Sequence, residues 1–316
     1  MTAMIEVQNL SKHYRGTSAV KDFNLSVETG EIFGLVGPNG CGKTSLVKMM
    51  AALTEPDSGT IWIGGHSVVD DKAAVRRLTG YFPERFGVYP GMTVVEYLDY
   101  FAACYQIKKK SRRDLIEDLL DLVDLSGLGG NWVETLSAGM QQRLSLARVL
   151  IHDPLVLVLD EPFSALDTSG KTEMQNLLVE LARMGKTIFM TSHFMAETAA
   201  ICHRVGVMQA GGLAGAGDLK TVMEQFGLKR LIKITLLGEF ETARKQLEKV
   251  PVVSQIKAVP GRNASEHLLE MEFVGDDEML SQVLSYLSKS GVQMTRFSVD
   301  DTVLDRILSS SADLGG

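Results

Sequence analysis

Eight consecutive residues, Gly37-Pro38-Asn39-Gly40-Cys41-Gly42-Lys43-Thr44, have the types and spacing of a phosphate-binding loop. Glycines let successive backbone N–H groups turn inward around phosphate oxygens, and a helix starting at the loop's end adds its positive pole. Lys43 can reach the β- and γ-phosphates, the Thr44 hydroxyl can ligate Mg²⁺, and Ser45 continues the same turn. A second pair follows the apolar run Leu155 to Leu159: Asp160 is placed to hold a metal ion, and Glu161 to polarise an attacking water. An acidic pair at a strand end is usually a solvated turn, but beside a phosphate loop it is chemistry. Between these two lies Leu136-Ser137-Ala138-Gly139-Met140, followed by Gln141-Gln142-Arg143. A serine and a glycine opening a helix offer either a second anion site or a simple N-cap.

These groups need a scaffold, and the hydrophobic pattern supplies one. Glu31 to Val36 is a short apolar run before the loop, and a helical pattern starts at Lys43; strand, glycine loop and helix is the context a phosphate loop requires. Ile5 to Val7 and Asp22 to Val27 alternate as strands, with a polar stretch from Ser11 to Ser18 between them. Thr60 to Ile63, Leu155 to Leu159 and Thr187 to Met190 read as further strands. Helical spacing marks Lys72 to Leu78, Thr93 to Ile107, Arg112 to Val123, Met140 to Leu150 and Thr168 to Met184, with Thr93 and Glu96 placed as a capping box. Strands alternating with helices predict a mostly parallel sheet covered on both faces.

The character changes at Asp218. Leu231 to Leu236, Ser254 to Val259, Leu268 to Val274 and Val292 to Val299 read as extended. Glu241 to Val250, Asp277 to Ser288 and Thr302 to Ser309 read as helical. Strand-helix-strand-strand-helix-strand is the ferredoxin-like order. The expected organisation is an α/β domain over 1–217, with a helical subdomain at about 86–150, and a small α+β domain over 218–316 that ends in a frayed tail.

The 316 residues suit one large domain and one small one. With 32 basic against 39 acidic side chains, the net charge of -7 gives no reason to expect a nucleic acid as partner. Three distant cysteines point to a reducing compartment. No secretory signal opens the chain, and no stretch of about 18 apolar residues occurs, so a soluble cytoplasmic protein is expected. Any membrane part would come from another chain.

In their order and spacing these motifs resemble those of the ABC ATPase family. Its usual Leu-Ser-Gly-Gly-Gln signature reads here with Ala138 and Met140 as departures, while Ser137 and Gly139, the expected phosphate contacts, are kept. Tyr14, 23 residues before Gly37, matches the aromatic residue that stacks on adenine. Ser164-Ala165-Leu166-Asp167 matches the loop that signals across a dimer, with Asp167 counted among the nucleotide-site residues. His193, after Thr191-Ser192, matches the switch histidine at the γ-phosphate. Where the family usually has a metal-binding glutamine, Gly80-Tyr81-Phe82-Pro83-Glu84 places Glu84, which together with Val88 to Thr93 resembles the branch serving ABC-2-type exporters.

The resemblance covers roughly residues 4–217 and implies a P-loop ABC-type nucleotide-binding domain that binds ATP and Mg²⁺ and hydrolyses ATP. It also implies a homodimer with each nucleotide sandwiched between Lys43 of one subunit and Ser137-Gly139 of the other. Such a dimer would sit on the cytoplasmic face of the membrane, held by a separate permease. Ribosome-acting relatives would carry two such units in one chain, chromosome-type ATPases a long heptad insertion, and a purely regulatory module would need no Glu161; none of these patterns fits. Phe82, Phe86, Val88, Tyr89 and Tyr97, near the expected docking groove, read mostly as core, as do Met184, Met190, Met195 and Met208. Cys41 is either a reactive thiol at a helix start or an inward-packed one.

Overall fold

The computed structural model describes residues 3–85, 87, 89–226, 229–237, 240–260, 267–273 and 277–300. The chain divides into two compact units, Met1–His193 with Glu197–Ala216, and Phe194–Ala196 with Gly217–Gly316.

The first unit opens with β1 (Ala3–Tyr14) and β2 (Thr17–Glu28), then β3 (Ile32–Val36), α1 (Lys43–Met50), β4 (Ser58–Ile63) and the short β5 (His66–Ser67). Next come α2 (Lys72–Leu78), β6 (Thr79–Phe82), α3 (Val94–Cys104), α4 (Lys109–Leu122), a 3-10 turn at Val133–Thr135 and α5 (Ala138–Leu150). Finally β7 (Val156–Leu159), α6 (Thr168–Arg183), β8 (Thr187–Ser192), α7 (Met195–Ala199), β9 (Arg204–Gln209) and β10 (Gly212–Gly217) complete the series, Met195, Ala196 and Gly217 being counted with the second unit.

Six strands form the central sheet in the order β10-β9-β3-β8-β7-β6, and the β9-β3, β3-β8, β8-β7 and β7-β6 pairs are parallel. Both faces of its middle strands are covered, which is why β3 and β7 are buried at every residue and read as unbroken apolar runs. Alternation assigns the faces: Leu157 and Leu159 pack with α3 to α6, whereas Val156 and Val158 pack with α1 and the amino-terminal strands.

Those amino-terminal strands form a separate four-stranded antiparallel sheet, β2-β1-β4-β5, which the mostly parallel expectation did not include. The polar stretch Ser11 to Ser18 belongs to it almost entirely. β1 runs to Tyr14, and only Arg15 and Gly16, both at positive φ, make the turn. Register shifts along β1 let Leu10 stay fully buried while its polar neighbours face out. The capping box forms as expected: the Thr93 hydroxyl accepts from Glu96 N at 3.3 Å, and Thr93 N donates to Glu96 Oε2 at 2.8 Å. Met190, Met195 and Met208 are wholly buried, but Met184 is 67% exposed. It caps the end of α6 instead of continuing its apolar stripe, so that expectation is corrected.

The second unit contains α8 (Leu219–Gln225), β11 (Arg230–Leu236), α9 (Phe240–Leu247), β12 (Val253–Pro260), β13 (His267–Phe273), α10 (Asp277–Lys289) and β14 (Met294–Asp300). Its sheet has the order β12-β13-β11-β14 with every pair antiparallel. Ile232, Ile234, Leu269, Met271 and Phe273 turn one face toward Ala243 and Leu247 of α9 and Leu287 of α10. Lys229, Lys233, Glu270 and Glu272 pair on the other. The helix expected at Thr302 to Ser309 and the tail after it lie outside the described residues.

Candidate active site

The phosphate loop links the end of β3 to the start of α1, and two of its glycines are required by contact. A Cβ on Gly42, which has φ 114, would stand 2.0 Å from the Ala19 carbonyl oxygen; on Gly37 it would stand 2.6 Å from the Met208 carbonyl oxygen and from Cys41 Sγ. Gly37 N donates to Ser192 O at 3.2 Å, tying the loop to the end of β8. Pro38, Asn39 and Gly40 complete the rim, with Asn39 and Gly40 exposed. Cys41 packs inward, and burial pushes its thiol pKa up, so the inert reading of that cysteine holds.

Lys43 is only 6% exposed. Its amine donates to Gly37 O at 2.7 Å and Pro38 O at 3.2 Å and lies 3.6 Å from Glu161 Oε1. The other Glu161 oxygen, Oε2, is 2.8 Å from His193 Nδ1. One carboxylate thus sits between an ammonium and an imidazole. Its backbone has φ 51, a left-handed conformation uncommon for a residue with a side chain, and its N–H donates to Thr191 Oγ1 at 3.1 Å. Thr191 in turn donates to Asp160 Oδ1 at 2.7 Å, so β8 orients both acidic residues at the end of β7.

Asp160 is buried, and its Oδ2 has no hydrogen-bond partner. Burial raises its pKa, against the opposing pull of the Thr191 and Thr44 hydroxyls. A cleft of about 360 Å³ opens beside these groups, lined by Lys43, Thr44, Glu84, Glu161 and His193 together with Ala19, Asn39, Gly40, Gly42, Ser45 and Ser164. An orphaned buried oxygen beside a threonine hydroxyl, with Glu84 contributing further negative charge, is the donor chemistry a hard divalent cation takes. Among the described residues no three His, Cys, Asp or Glu side chains converge as a metal cluster, so these donors would need phosphate oxygens to complete a shell.

The other expected site residues stand elsewhere. Ser137 caps α5, its Oγ accepting from Met140 N at 3.3 Å, and it is exposed. Gly139 lies on the same first turn, where an added Cβ would meet Leu166 Cδ2 at 3.5 Å. Asp167 caps α6, accepting from Gly170 N at 2.9 Å. Tyr14 lies at the end of β1, its ring 43% exposed with Lys12 Nζ 5.5 Å from the ring centroid. None of the four lines the cleft. Residues that do line it but were not among the expected set are Ala19 and Ser164. Ser164 belongs to the Ser164-Ala165-Leu166-Asp167 motif, whereas an alanine on a strand carries no signal of its proximity to Gly42. Of the aromatic stretch, Phe82 and Tyr97 are core, Tyr89 is 43% exposed, and Phe86 and Val88 lie outside the described residues.

A second cleft of about 270 Å³ lies beside the first, lined by Leu53, Arg76, Tyr81, Tyr105, Arg148 and His152 among others. Tyr105 stacks on His152 at 4.0 Å, Arg148 lies 5.4 Å from the Phe101 ring centroid, and burial with the nearby Asp160 charge pushes the Tyr81 pKa to about 12. Pro83 lines this cleft and Glu84 the other, one peptide bond apart.

Known proteins of similar sequence and fold place the chain in a family. A family model described as ABC transporter matches residues 20–164. The chain is 33% identical over 294 residues to an uncharacterized ABC transporter ATP-binding protein, YxlF, of Bacillus subtilis, covering 93% of this chain and 94% of that one. It is 38% identical over 222 residues to the Nod factor export ATP-binding protein I of Burkholderia thailandensis, covering 70% and 73%. A solved dimeric ATP-binding cassette, MJ0796, in a post-hydrolysis state with ADP and Pi, superposes with a TM-score of 0.64 at 25% identity, covering 68% of this chain and 99% of that one.

Proposed function

This chain belongs to the ABC transporter family as an ATP-binding subunit and is an ATPase, and from that premise we propose how its residues divide the work and what it drives. The observation that carries the proposal is Glu161 held between Lys43 and His193 at the foot of the phosphate loop. Glu161 accepts a proton from water as the water oxygen attacks the γ-phosphorus, and the bond to the ADP oxygen breaks in line with it. ADP and inorganic phosphate leave, and the proton passes from Glu161 to solvent. The Lys43 amine and the loop N–H groups of Gly42, Lys43 and Thr44 hold the charge that builds on the phosphoryl oxygens. His193 fixes the Glu161 carboxylate and reports on the γ-phosphate. Mg²⁺ bound by Thr44, Asp160 and Glu84 would neutralise β- and γ-phosphate charge.

Tyr14, Ser137, Gly139 and Asp167 complete the site from positions the cleft does not reach. Ser137 and Gly139 serve the nucleotide of a second copy, so the working form is a homodimer with two shared ATP sites. The solved dimeric cassette of the same fold supports that reading. The driven partner is a membrane permease on a separate chain, of the ABC-2 exporter type. The export ATP-binding relative supports the direction, and among the described residues no helix is long and apolar enough to cross a membrane. The permease docks in the second cleft, where Pro83 can pass its movement to Glu84, and it holds the subunit at the cytoplasmic face. We also assign residues 218–316 as a ferredoxin-like accessory domain, supported by the β11-α9-β12-β13-α10-β14 order and its antiparallel sheet. Residues 1–217 form the ATPase domain, with its helical subdomain at about 86–150.

Co-expression with a neighbouring gene encoding a multi-span membrane protein tests the whole. The two chains should co-purify from detergent, and the complex in liposomes should hydrolyse ATP faster than the subunit alone. Unchanged turnover in a purified complex would exclude that permease as the driven partner.

A further inference from the structure

Three consecutive side chains on the first two turns of α5 each tie that helix to a different place. Gln141 Nε2 donates to Val133 O at 3.4 Å and Leu136 O at 3.3 Å, closing on its own lead-in turn. Arg143 reaches Asp124 at 2.8 Å and also Glu173 on α6. Gln142, 3% exposed, points into the protein and donates from Nε2 to Pro162 O at 3.1 Å. Pro162 is the residue after Glu161.

From there the chain needs few residues to connect everything that the two half-sites use. Ser164 N donates to Glu161 O at 3.2 Å, and Ser164 borders the ATP cleft. Leu166 N donates to Phe163 O at 3.2 Å, and Leu166 lies against Gly139. Asp167 caps α6. Gln142 is thus the α5 side chain whose amide reaches the segment carrying Glu161, and its bond is buried, where a hydrogen bond is rigid and costly to lose.

We propose that Gln142 is a positioning residue that couples the two ATP sites of the dimer. The inference rests on the shared-site reading above. In that reading Glu161 serves one nucleotide and Ser137-Gly139 of the same chain serves the other, so the Gln142–Pro162 bond joins opposite sites within one subunit. A rearrangement of Glu161 when its own site fills shifts the Pro162 carbonyl, and α5 must follow or break a buried bond. A neutral amide suits the role. It donates to a carbonyl without bringing a charge into the interior, whereas methionine keeps the length and lacks the donor.

Heterodimers of the full chain, sorted by two affinity tags, test the coupling. One chain carries Glu161→Gln and the other keeps Glu161, so one site alone has its base. Gln142→Met is then placed on either chain. On the chain with intact Glu161 it cuts the link behind the working base; on the other it cuts the link behind the Ser137 segment that serves the same site. Coupling predicts that both placements slow turnover, by about fivefold or more, with monomer ATP affinity unchanged. Slowing from one placement alone would make Gln142 a local prop, and slowing from neither would remove its role; both outcomes overturn the inference. If the control heterodimer forms with ATP but is silent, the arrest itself travels through this link, and Gln142→Met on either chain should release it; continued silence overturns the proposal. Gln142→Asn, which keeps the amide but withdraws it by one methylene, replaces Gln142→Met if melting shows the latter unfolded. A control pair that never associates in ATP would instead overturn the shared-site reading, and the inference with it.

Discussion

The phosphate-loop end of the first unit and the amino-terminal end of α5 both gather groups suited to an anion, yet they are built in opposite ways. Around the loop, Lys43, Asp160 and Glu161 are buried; Lys43 bonds the loop carbonyls and pairs with Glu161, and Thr191 of β8 donates to Asp160, so the polar groups at the ends of β3, β7 and β8 brace each other. At α5, Ser137 is exposed, its hydroxyl is spent on the helix's own N–H, and it does not line the cleft. The first region is a finished half that can hold and polarise a triphosphate. In the proposed dimer the second is a docking face, whose helix N–H groups would take a phosphate brought by another copy. Preorganisation is concentrated at the phosphate loop, and exposure at the face that the proposed dimer would use.

The sharpest way to break this contrast is at the base. Glu161→Gln keeps the shape between Lys43 and His193 but removes the proton acceptor, so turnover should fall by roughly 100-fold or more while ATP binding persists. Size-exclusion chromatography with ATP should then show a trapped dimer. Ordinary steady-state hydrolysis by that variant would take Glu161 out of the finished half.

Next in size are paired substitutions, one in each region. Lys43→Ala removes charge-assisted contacts to the phosphates and should weaken ATP binding by the monomer by about 1.5–3 kcal/mol. Ser137→Arg fills the docking face and should leave monomer affinity alone while abolishing ATP-driven dimerisation. Calorimetric titration of both monomers decides the matter. An equal loss of affinity in Ser137→Arg would place Ser137 on its own subunit's nucleotide and end the distinction between the halves.

A smaller effect comes from Asp160. Burial raises its pKa above the unfolded value of about 3.9, so the native state prefers it protonated. Stability from this group is therefore full below the unfolded pKa and is lost as pH rises through the raised folded pKa. Asp160→Asn should melt higher than the parent at pH 8, by a few degrees at about 2–4 °C per kcal/mol, and the gain should shrink toward acid pH. A gain that is the same at pH 8 and pH 5 would mean that packing, not charge, sets it.

Legibility in the sequence followed the same divide. The phosphate loop, the β7 carboxylates and the alternation of apolar strands with helices are local patterns, and β3, β7 and α1 fall where those patterns put them. Distances between segments were not readable. Nothing in the residues themselves announces that Thr191 would orient Asp160 and Glu161 together, that Ala19 would press on Gly42, or that Gln142 would reach Pro162. These contacts join segments far apart in the chain, and each uses a backbone group or a small side chain with no composition signal. The extent of the antiparallel strands was hidden for a similar reason: Ser11 to Ser18 is largely solvent-facing, so that stretch lacks the apolar alternation that marks Ile5 to Val7 and Asp22 to Val27.

The smallest expected effect concerns Tyr14, which stands outside both halves. Its ring is 43% exposed, and Lys12, anchored by Asp57 at 2.7 Å, lies over it with Nζ 5.5 Å from the centroid. In the proposed site adenine stacks on the aromatic surface that Lys12 leaves open, so binding should depend on the ring and not the hydroxyl. Tyr14→Ala should weaken ATP binding by about 1 kcal/mol, as loss of one aromatic contact does, and Tyr14→Phe should bind like the parent. Lys12→Ala separates two versions of this contact. If Lys12 instead attracts the triphosphate through its charge, removing it weakens ATP and a ribose triphosphate without a base alike. If it polarises the ring for stacking, ATP weakens and the base-free ligand does not. Equal losses in Tyr14→Ala and Tyr14→Phe would instead assign the contact to the hydroxyl and remove stacking from the adenine end of the site.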